Sequence, residues 1–369
     1  MDFGFTEEQN ILLNAAKSFF EKEAKNAARE AEKTEEGYSP QLWQKMSELG
    51  WFGIVFPEEY DGFGGSFVDL TLLIEGMGKA LLPGPYIPTI ISGLSILEYG
   101  EKWQKEELLP MIVEGKRILS HALLQPNPAM GAIPMAERLS MRDGNYIING
   151  TRVFVPFGHV ADWFVYGADT PEGKTIFLVD AKSEGVRCKP LDSTGNDKPC
   201  ELVFDGVSVP EKNILGGLGK GAEIINKINA WGALAESAYI TGMLEEVLRM
   251  SIEYAKEREQ FERKIGSFQG IQHQCSDMAT DVDQVKFLTY EAAWRLSENL
   301  SADKEISMAK SWASDASRRV CLLGVKIHGG TGVSEEHDMQ LYFRRAKAAE
   351  VAFGDGDVHR EIIAKELGL

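Results

Sequence analysis

Apolar positions spaced three and four residues apart dominate the first third of the chain. Ile11, Leu12, Ala15, Ala16, Phe19 and Phe20 fall on one side of a helix. Thr6, with the amide of Gln9 close behind, supplies a capping signal just ahead of them. Leu42, Met46 and Leu49 repeat the spacing over residues 41–49. Residues 58–65, EEYDGFGG, read as a glycine-rich loop. Residues 68–82 are apolar and predict a buried helix, which Pro83, Gly84 and Pro85 stop.

The pattern changes after Lys116. Segments at 118–124, 146–148, 151–155, 163–166, 176–179, 186–189 and 201–204 are short and rich in β-branched or aromatic residues. Asp143-Gly144, Asn149-Gly150 and Glu172-Gly173 read as turns between them, which predicts a compact antiparallel β domain. Residues 216–221, GGLGKG, lack the full phosphate-loop pattern and read as a flexible junction. Long amphipathic helices follow over 222–300 and 302–327. The fold class is therefore α+β: a helical N-terminal domain at 1–115, an antiparallel β middle domain at 116–220 and a helical-bundle C-terminal domain at 221–369. The strand–helix alternation of a Rossmann sheet is absent.

Hydrophobic residues make up 44% and charged residues 26% of the chain, the balance of a soluble globular protein. No run approaches the roughly 20 apolar residues that a membrane helix needs. The acidic start, MDFGFTEEQ, has no signal-peptide character, so a cytoplasmic location is expected. A net charge of -17 repels phosphate backbones and excludes nucleic acid as a partner. The same field means that any CoA site must be locally basic. Cys188, Cys200, Cys275 and Cys321 show no C-x-x-C spacing and read as reduced thiols rather than a metal site or disulfides. The six histidines show no H-x-x-x-H pairing. His337 with Asp338, and His359 with Asp357, read as surface or interface groups, and no Ser-His-Asp or Cys-His arrangement is legible.

Several stretches carry a resemblance. They are residues 51–65 (WFGIVFPEEYDGFGG), 149–156 (NGTRVFVP) with Ala161-Asp162, 258–261 (REQF) with Phe268-Gln269, 328–332 (HGGTG), and 353–360 (FGDGDVHR). In this order and at this spacing they resemble the acyl-CoA dehydrogenase family over essentially the whole chain. That resemblance implies FAD as cofactor, an acyl-CoA thioester as substrate and electron-transfer flavoprotein as acceptor. It also implies tetramers, with FAD in clefts between subunits.

Carried over residue by residue, the resemblance makes Arg258, Gln260, Phe261, Phe268, Gln269, Lys326, Gly329 and Gly330 the grip on the adenosine end of FAD. Arg258 suits pyrophosphate, the two phenyl rings flank adenine, and the glycines let the ligand approach the backbone. The isoalloxazine end is poorer. The family's hydroxyl and Gly-Ser pair are replaced by Leu124 and by Gly131-Ala132, and Pro156 removes both a hydroxyl and an N–H. Phe154 remains as a ring to stack on.

In the family a Glu commonly precedes the glycine matched by Gly354 and removes the substrate's α-proton. Here that position is Phe353, and the second place at which some members put the base falls at Gly232. Neither side chain can take a proton. Glu236 lies one helical turn beyond Gly232. Glu350 and Asp355 flank Phe353 as weak candidates. Glu350 reads foremost as a solvated charge, and Asp355 as a cofactor contact or loop cap.

Three readings follow. The favoured one is a flavoprotein subunit for α,β-desaturation of an acyl-CoA that shares FAD with a homologous catalytic subunit in a heterotetramer. The second is a homotetrameric dehydrogenase with a displaced base, acting on a cyclic or branched acyl-CoA of fatty, aromatic or alicyclic acid degradation. The third is a non-catalytic scaffold. No metal is called for.

Overall fold

The computed structural model describes residues 4–24, 26–126, 138–195 and 197–369. Six helices come first: α1 (Glu7–Glu23), α2 (Ala27–Ala31), α3 (Pro40–Glu48), α4 (Phe67–Lys79), α5 (Tyr86–Tyr99) and α6 (Lys102–Val113). Thr6 accepts from the Gln9 N–H while Gln9 Oε1 accepts from the Thr6 N–H, so the capping signal upstream of α1 is used. Eight strands follow: β1 (Leu119–Ala122), β2 (Arg138–Arg142), β3 (Asn145–Pro156), β4 (Trp163–Thr170), β5 (Gly173–Asp180), β6 (Val186–Pro190), β7 (Pro199–Pro210) and β8 (Ile214–Leu215). The C-terminal part holds α7 (Gly221–Glu257), a two-stranded hairpin of β9 (Glu259–Gln260) and β10 (Arg263–Lys264), then α8 (Gln269–Ser297), α9 (Asp303–His328), α10 (Met339–Val351) and α11 (Gly356–Glu366).

These elements gather into two compact units. One draws on the N-terminal stretch through Arg29, on Ser66–Leu82 and on Gly232–Leu369; the other on Glu30–Gly65 and Pro83–Trp231. The boundary falls inside α7.

In the second unit the strands form two sheets, in the orders β1-β4-β5-β8 and β2-β3-β7-β6. Ile148, Phe164, Tyr166, Phe177, Leu202, Phe204 and Val207 fill the space shared by their inner faces. All pairings are antiparallel except β1 with β4, which run parallel. The Asn149-Gly150 turn expected from sequence does not form. β3 runs straight through it, with a register irregularity against β7 between Ile148 and Gly150. The Asn149 side chain accepts the Gly206 N–H at 2.8 Å, so the dipeptide serves as a bulge instead of a hairpin turn.

In the first unit α7, α8, α9 and α10 pack around Met243, Val247, Met278, Val285, Ala313, Val320 and Met339. Helix α4 crosses α7 very closely. A Cβ on Gly78 would stand 2.0 Å from the Tyr239 carbonyl oxygen, and one on Gly242 1.9 Å from that of Glu75. Beside this crossing, Lys286 Nζ reaches Glu75 (3.2 Å) and Glu245 (2.5 Å), and the Tyr290 hydroxyl donates to Glu75 (2.6 Å). Among the described residues, no helix is long and apolar enough to cross a membrane and no cluster of side chains could hold a metal ion.

Candidate functional site

α7 ends where Arg258 begins the β9–β10 hairpin. The Arg258 N–H donates to the Tyr254 carbonyl (2.8 Å), and the Arg258 carbonyl accepts from the Ile265 N–H (2.8 Å), so its backbone is pinned on both sides. The two turn residues, Phe261 (φ +55°) and Glu262 (φ +63°), take the left-handed conformation that a two-residue hairpin demands. Asn and Gly are the usual occupants of such a turn. A phenylalanine there carries strain on the order of 1–3 kcal/mol, and residues under such strain cluster at functional sites. The turn leaves Phe261 86% exposed, edge-on to Phe268 with 6.1 Å between centroids. The Arg263 guanidinium lies 3.9 Å above the Phe268 ring. Gln260 and Gln269 are exposed on the same segment.

The glycine pair lies close to the hairpin's base. His328, the last residue of α9, stacks on Tyr254 at 4.4 Å, and Tyr254 is one turn before Arg258. Gly329 follows with φ +60°, and nothing lies within 4 Å of where a Cβ on Gly329 or Gly330 would point. Lys326 is exposed one turn back on α9. The eight residues singled out for the adenosine end thus fall within a single unit, and Tyr254 on His328 joins their two segments.

The two positions at which the resemblance would put a base, 353 and 232, meet in one place. Phe353 (φ +54°) and Gly354 (φ +96°) form a left-handed turn between α10 and α11. That turn sets the phenyl ring directly on Gly232: a Cβ at Gly232 would stand 2.2–2.4 Å from three of its ring carbons. Glycine at 232 is therefore the hollow that the ring fills, and a side chain at 232 is excluded while the ring stays.

The flanking acids are otherwise engaged. Asp355 is the N-cap of α11, its Oδ1 accepting from the Asp357 and Val358 N–H groups at 3.1 Å each. The loop-cap reading of Asp355 is thus the one whose contacts are present. Glu350 is buried rather than solvated and pairs with Lys347 at 2.9 Å. Its place on the inner side of α10, where Ala346 and Ala349 are also buried, explains the difference.

His359 also departs from the expected surface role. It is 4% exposed, and its Nε2 bonds the Phe353 carbonyl at 3.1 Å. Beneath the turn lies a group that sequence reasoning missed. Lys310 is fully buried, and its Nζ donates to Ser314 Oγ (2.9 Å) and to the Ala349 (3.2 Å) and Glu350 (2.9 Å) carbonyls. Three donors meet three acceptors and close the C-terminal end of α10 immediately before Phe353. Burial pulls the Lys310 ammonium down to about 8, against the opposing pull of Glu236, Asp355 and Glu350. The signal was present in α9: Ile306, Lys310, Ala313 and Ser317 sit at helical spacing on its buried face.

Burial holds the His359 ring below its usual 6.5, and its Nδ1 has no partner among the described residues. The stability carried by the neutral ring is complete above pH 6.5 and is lost as pH falls toward the lowered folded value. His359→Gln keeps a donor for the Phe353 carbonyl and removes the titration. Thermal midpoints measured from about pH 7 to about pH 5 should fall more steeply for the unaltered chain than for the variant. Parallel curves would exclude this role for His359.

Phe154 belongs to the β unit. It is 51% exposed, and its φ of +54° departs from extended strand geometry. The adjoining Pro156 carbonyl already accepts from Ser120 Oγ at 2.6 Å. Leu124 is 51% exposed, with its carbonyl bonded to the Val153 N–H. Gly131 and Ala132, the other half of the altered loop, lie outside the described residues.

Residues 6–116 match the model of the acyl-CoA dehydrogenase N-terminal domain, and residues 219–368 that of the acyl-CoA dehydrogenase C-terminal domain. The 3-(aryl)acrylate reductase of Clostridium sporogenes is 30% identical, with 98% of this chain and 99% of the reductase covered. The caffeyl-CoA reductase-Etf complex subunit CarC of Acetobacterium woodii is 30% identical, with 98% of each chain covered. The solved ChsE4-ChsE5 complex from Mycobacterium tuberculosis contains a chain of 30% identity that superposes with a TM-score of 0.92, covering 100% of this chain and 99% of that one.

The chain belongs to the acyl-CoA dehydrogenase family. Members are FAD-dependent oxidoreductases that act on acyl-CoA thioesters, and the helix, sheet, helix order seen here is the family's fold. The residues present suit FAD unequally. An exposed aromatic turn, the exposed Arg258 and two glycines with open space before them are groups that would suit a nucleoside diphosphate. At the ring end Phe154 and Leu124 offer apolar surface, while Pro156 has no N–H and its carbonyl is already bonded. In this family bound FAD supplies a hydride acceptor for the substrate's β-carbon. Phe353 and Gly232, in contact with each other, carry no group that could accept a proton.

Proposed function

We propose that this chain is the adenosine-gripping subunit of a heteromeric acyl-CoA dehydrogenase for α,β-desaturation of an acyl-CoA thioester. A homologous partner subunit supplies the glutamate base and most of the contacts to the reactive flavin ring. The observation that carries this reading is the Phe353 ring seated on Gly232. The two places at which the family keeps its base are filled together by a group without a lone pair to accept a proton. Asp355 and Glu350 are held by α11 and Lys347, which speaks against a base displaced onto either. Arg258, Gln260, Phe261, Phe268, Gln269, Lys326, Gly329 and Gly330 take the adenosine diphosphate half, and Phe154 stacks against the ring. ChsE4-ChsE5 is a complex of two differently named components, and CarC is a subunit of a complex with Etf. By that likeness an electron-transfer flavoprotein accepts the electrons, in the cytoplasm.

The test is expression of this chain alone and together with its partner. The co-expressed assembly is expected to be yellow and active on acyl-CoA, and the lone chain to be nearly colourless and inactive. A lone chain that keeps FAD through gel filtration and turns over acyl-CoA at an ordinary rate, on the order of 10 s⁻¹, would overturn the proposal.

A further inference from the structure

The β unit holds a cysteine–histidine arrangement that the flavin chemistry does not use. Cys200 on β7 is buried, and its Sγ lies 3.5 Å from His159 Nδ1. The other ring nitrogen, Nε2, sits 3.0 Å from the Glu35 carbonyl and 3.2 Å from the Glu36 carbonyl. Carbonyl oxygens only accept, so Nε2 carries the hydrogen, and the neutral ring turns the Nδ1 lone pair toward the thiol. Nucleophile, base and orienting acceptor therefore stand in line, with backbone carbonyls in the place usually held by a carboxylate.

A second thiol lies next to it. In the β6–β7 ladder Cys188 pairs with Leu202 and Pro190 with Cys200, so the two cysteines are diagonal neighbours on the same face. Cys188 is exposed while Cys200 is not. Diagonal neighbours have Cα atoms about 7–8 Å apart, and a disulfide needs about 7 Å or less. Closure must therefore draw β6 inward by about 1 Å. β6 is a five-residue strand at the edge of its sheet, held on one side only.

We propose that Cys188, Cys200 and His159 form a thiol–disulfide pair that closes when a peroxide oxidises the exposed cysteine. Hydrogen peroxide converts Cys188 to a sulfenic acid: an S–O bond forms, the O–O bond breaks and water leaves. Cys200, its proton taken by His159 Nδ1, attacks the Cys188 sulfur. The S–S bond forms as the S–O bond breaks, and the departing hydroxide takes the proton from His159 as water. Two thiols lose two electrons and two protons, and the peroxide becomes two waters.

The electrostatics divide the two thiols, slowing the oxidation of Cys188 and favouring the attack by Cys200. A hydrogen bond to Cys188 and then the His159 ring hold Cys200 below the usual thiol range, while its bond to Cys200 pushes Cys188 up. The first step is thus the slow one and the second is prepared. Cys200 also pairs directly with Val155, between Phe154 and Pro156.

The test needs neither FAD nor acyl-CoA and is independent of the proposed function. The full chain is treated with hydrogen peroxide and read by intact mass and peptide mapping. The expected result is loss of the mass of two hydrogens, a Cys188–Cys200 peptide, and reversal by a reducing thiol. Cys188→Ser should form no bridge, and His159→Gln should accumulate Cys188 sulfenic acid that dimedone traps before the bridge closes, where the unaltered chain gives little of the trapped product. Oxygen left on Cys188 of the unaltered chain without a bridge, a bridge through Cys275 instead, or no more trapped sulfenic acid in His159→Gln than in the unaltered chain would each overturn the proposal. Should His159→Gln fail to fold, the peptide map of the unaltered chain decides alone.

Discussion

Replacing Arg258 by Met in the assembled complex is expected to weaken FAD binding about ten- to a hundredfold, the loss of one or two charge-assisted hydrogen bonds. The expectation rests on placement. Arg258 is exposed, its backbone is fixed by Tyr254 and Ile265, and it stands beside a strained, 86% exposed phenylalanine. Phe261 at that exposure contributes nothing to the core, so Phe261→Ala should leave the thermal midpoint of the flavin-free protein unchanged while also lowering FAD retention. Arg258→Lys should fall between wild type and Met, because it keeps the charge and loses the fork. The readout is flavin absorbance that survives gel filtration. Full retention in Arg258→Met would remove this residue from the cofactor's grip and with it the assignment of the hairpin.

The largest effect on stability is expected at Gly242. In an ordinary helix, Gly→Ala is stabilising by up to about 1 kcal/mol. Here the new Cβ would meet the Glu75 carbonyl oxygen at 1.9 Å and the Lys79 nitrogen at 2.7 Å. Both are backbone atoms in α4, which cannot rotate away as a side-chain end could. Helices α4 and α7 must separate, opening the contact of Gly78 with Tyr239 and pulling Glu75 from Lys286 and Tyr290. Glu75 is buried, and desolvation raises its carboxyl before the Glu245 charge adds to the effect, so its hydrogen bonds are not idle. Gly242→Ala is therefore expected to cost about 3 kcal/mol or more, with the opposite sign to helix propensity. Thermal unfolding checks it, and a midpoint equal to or above that of the unaltered chain would show that the two helices do not touch as described.

The sequence by itself determined a good deal of this protein. Periodicity placed α4 and α9 within a few residues, because an amphipathic or wholly buried helix must repeat its apolar positions whatever surrounds it, but it left the break between α7 and α8 unplaced within 222–300. The turn at Glu172-Gly173 was legible for the same local reason. Asn149-Gly150 shows where local reasoning stops: the dipeptide suits a hairpin turn, yet β7 pairs along both sides of it and turns it into a bulge. Only the tertiary structure decided that Phe353 and Gly232, far apart in the chain, are one contact, and that Lys310 seals the helix end beneath it. The same holds for His159 facing Cys200 across the β unit. Such pairings depend on how helices and strands cross in space, and no repeat along the chain encodes a crossing.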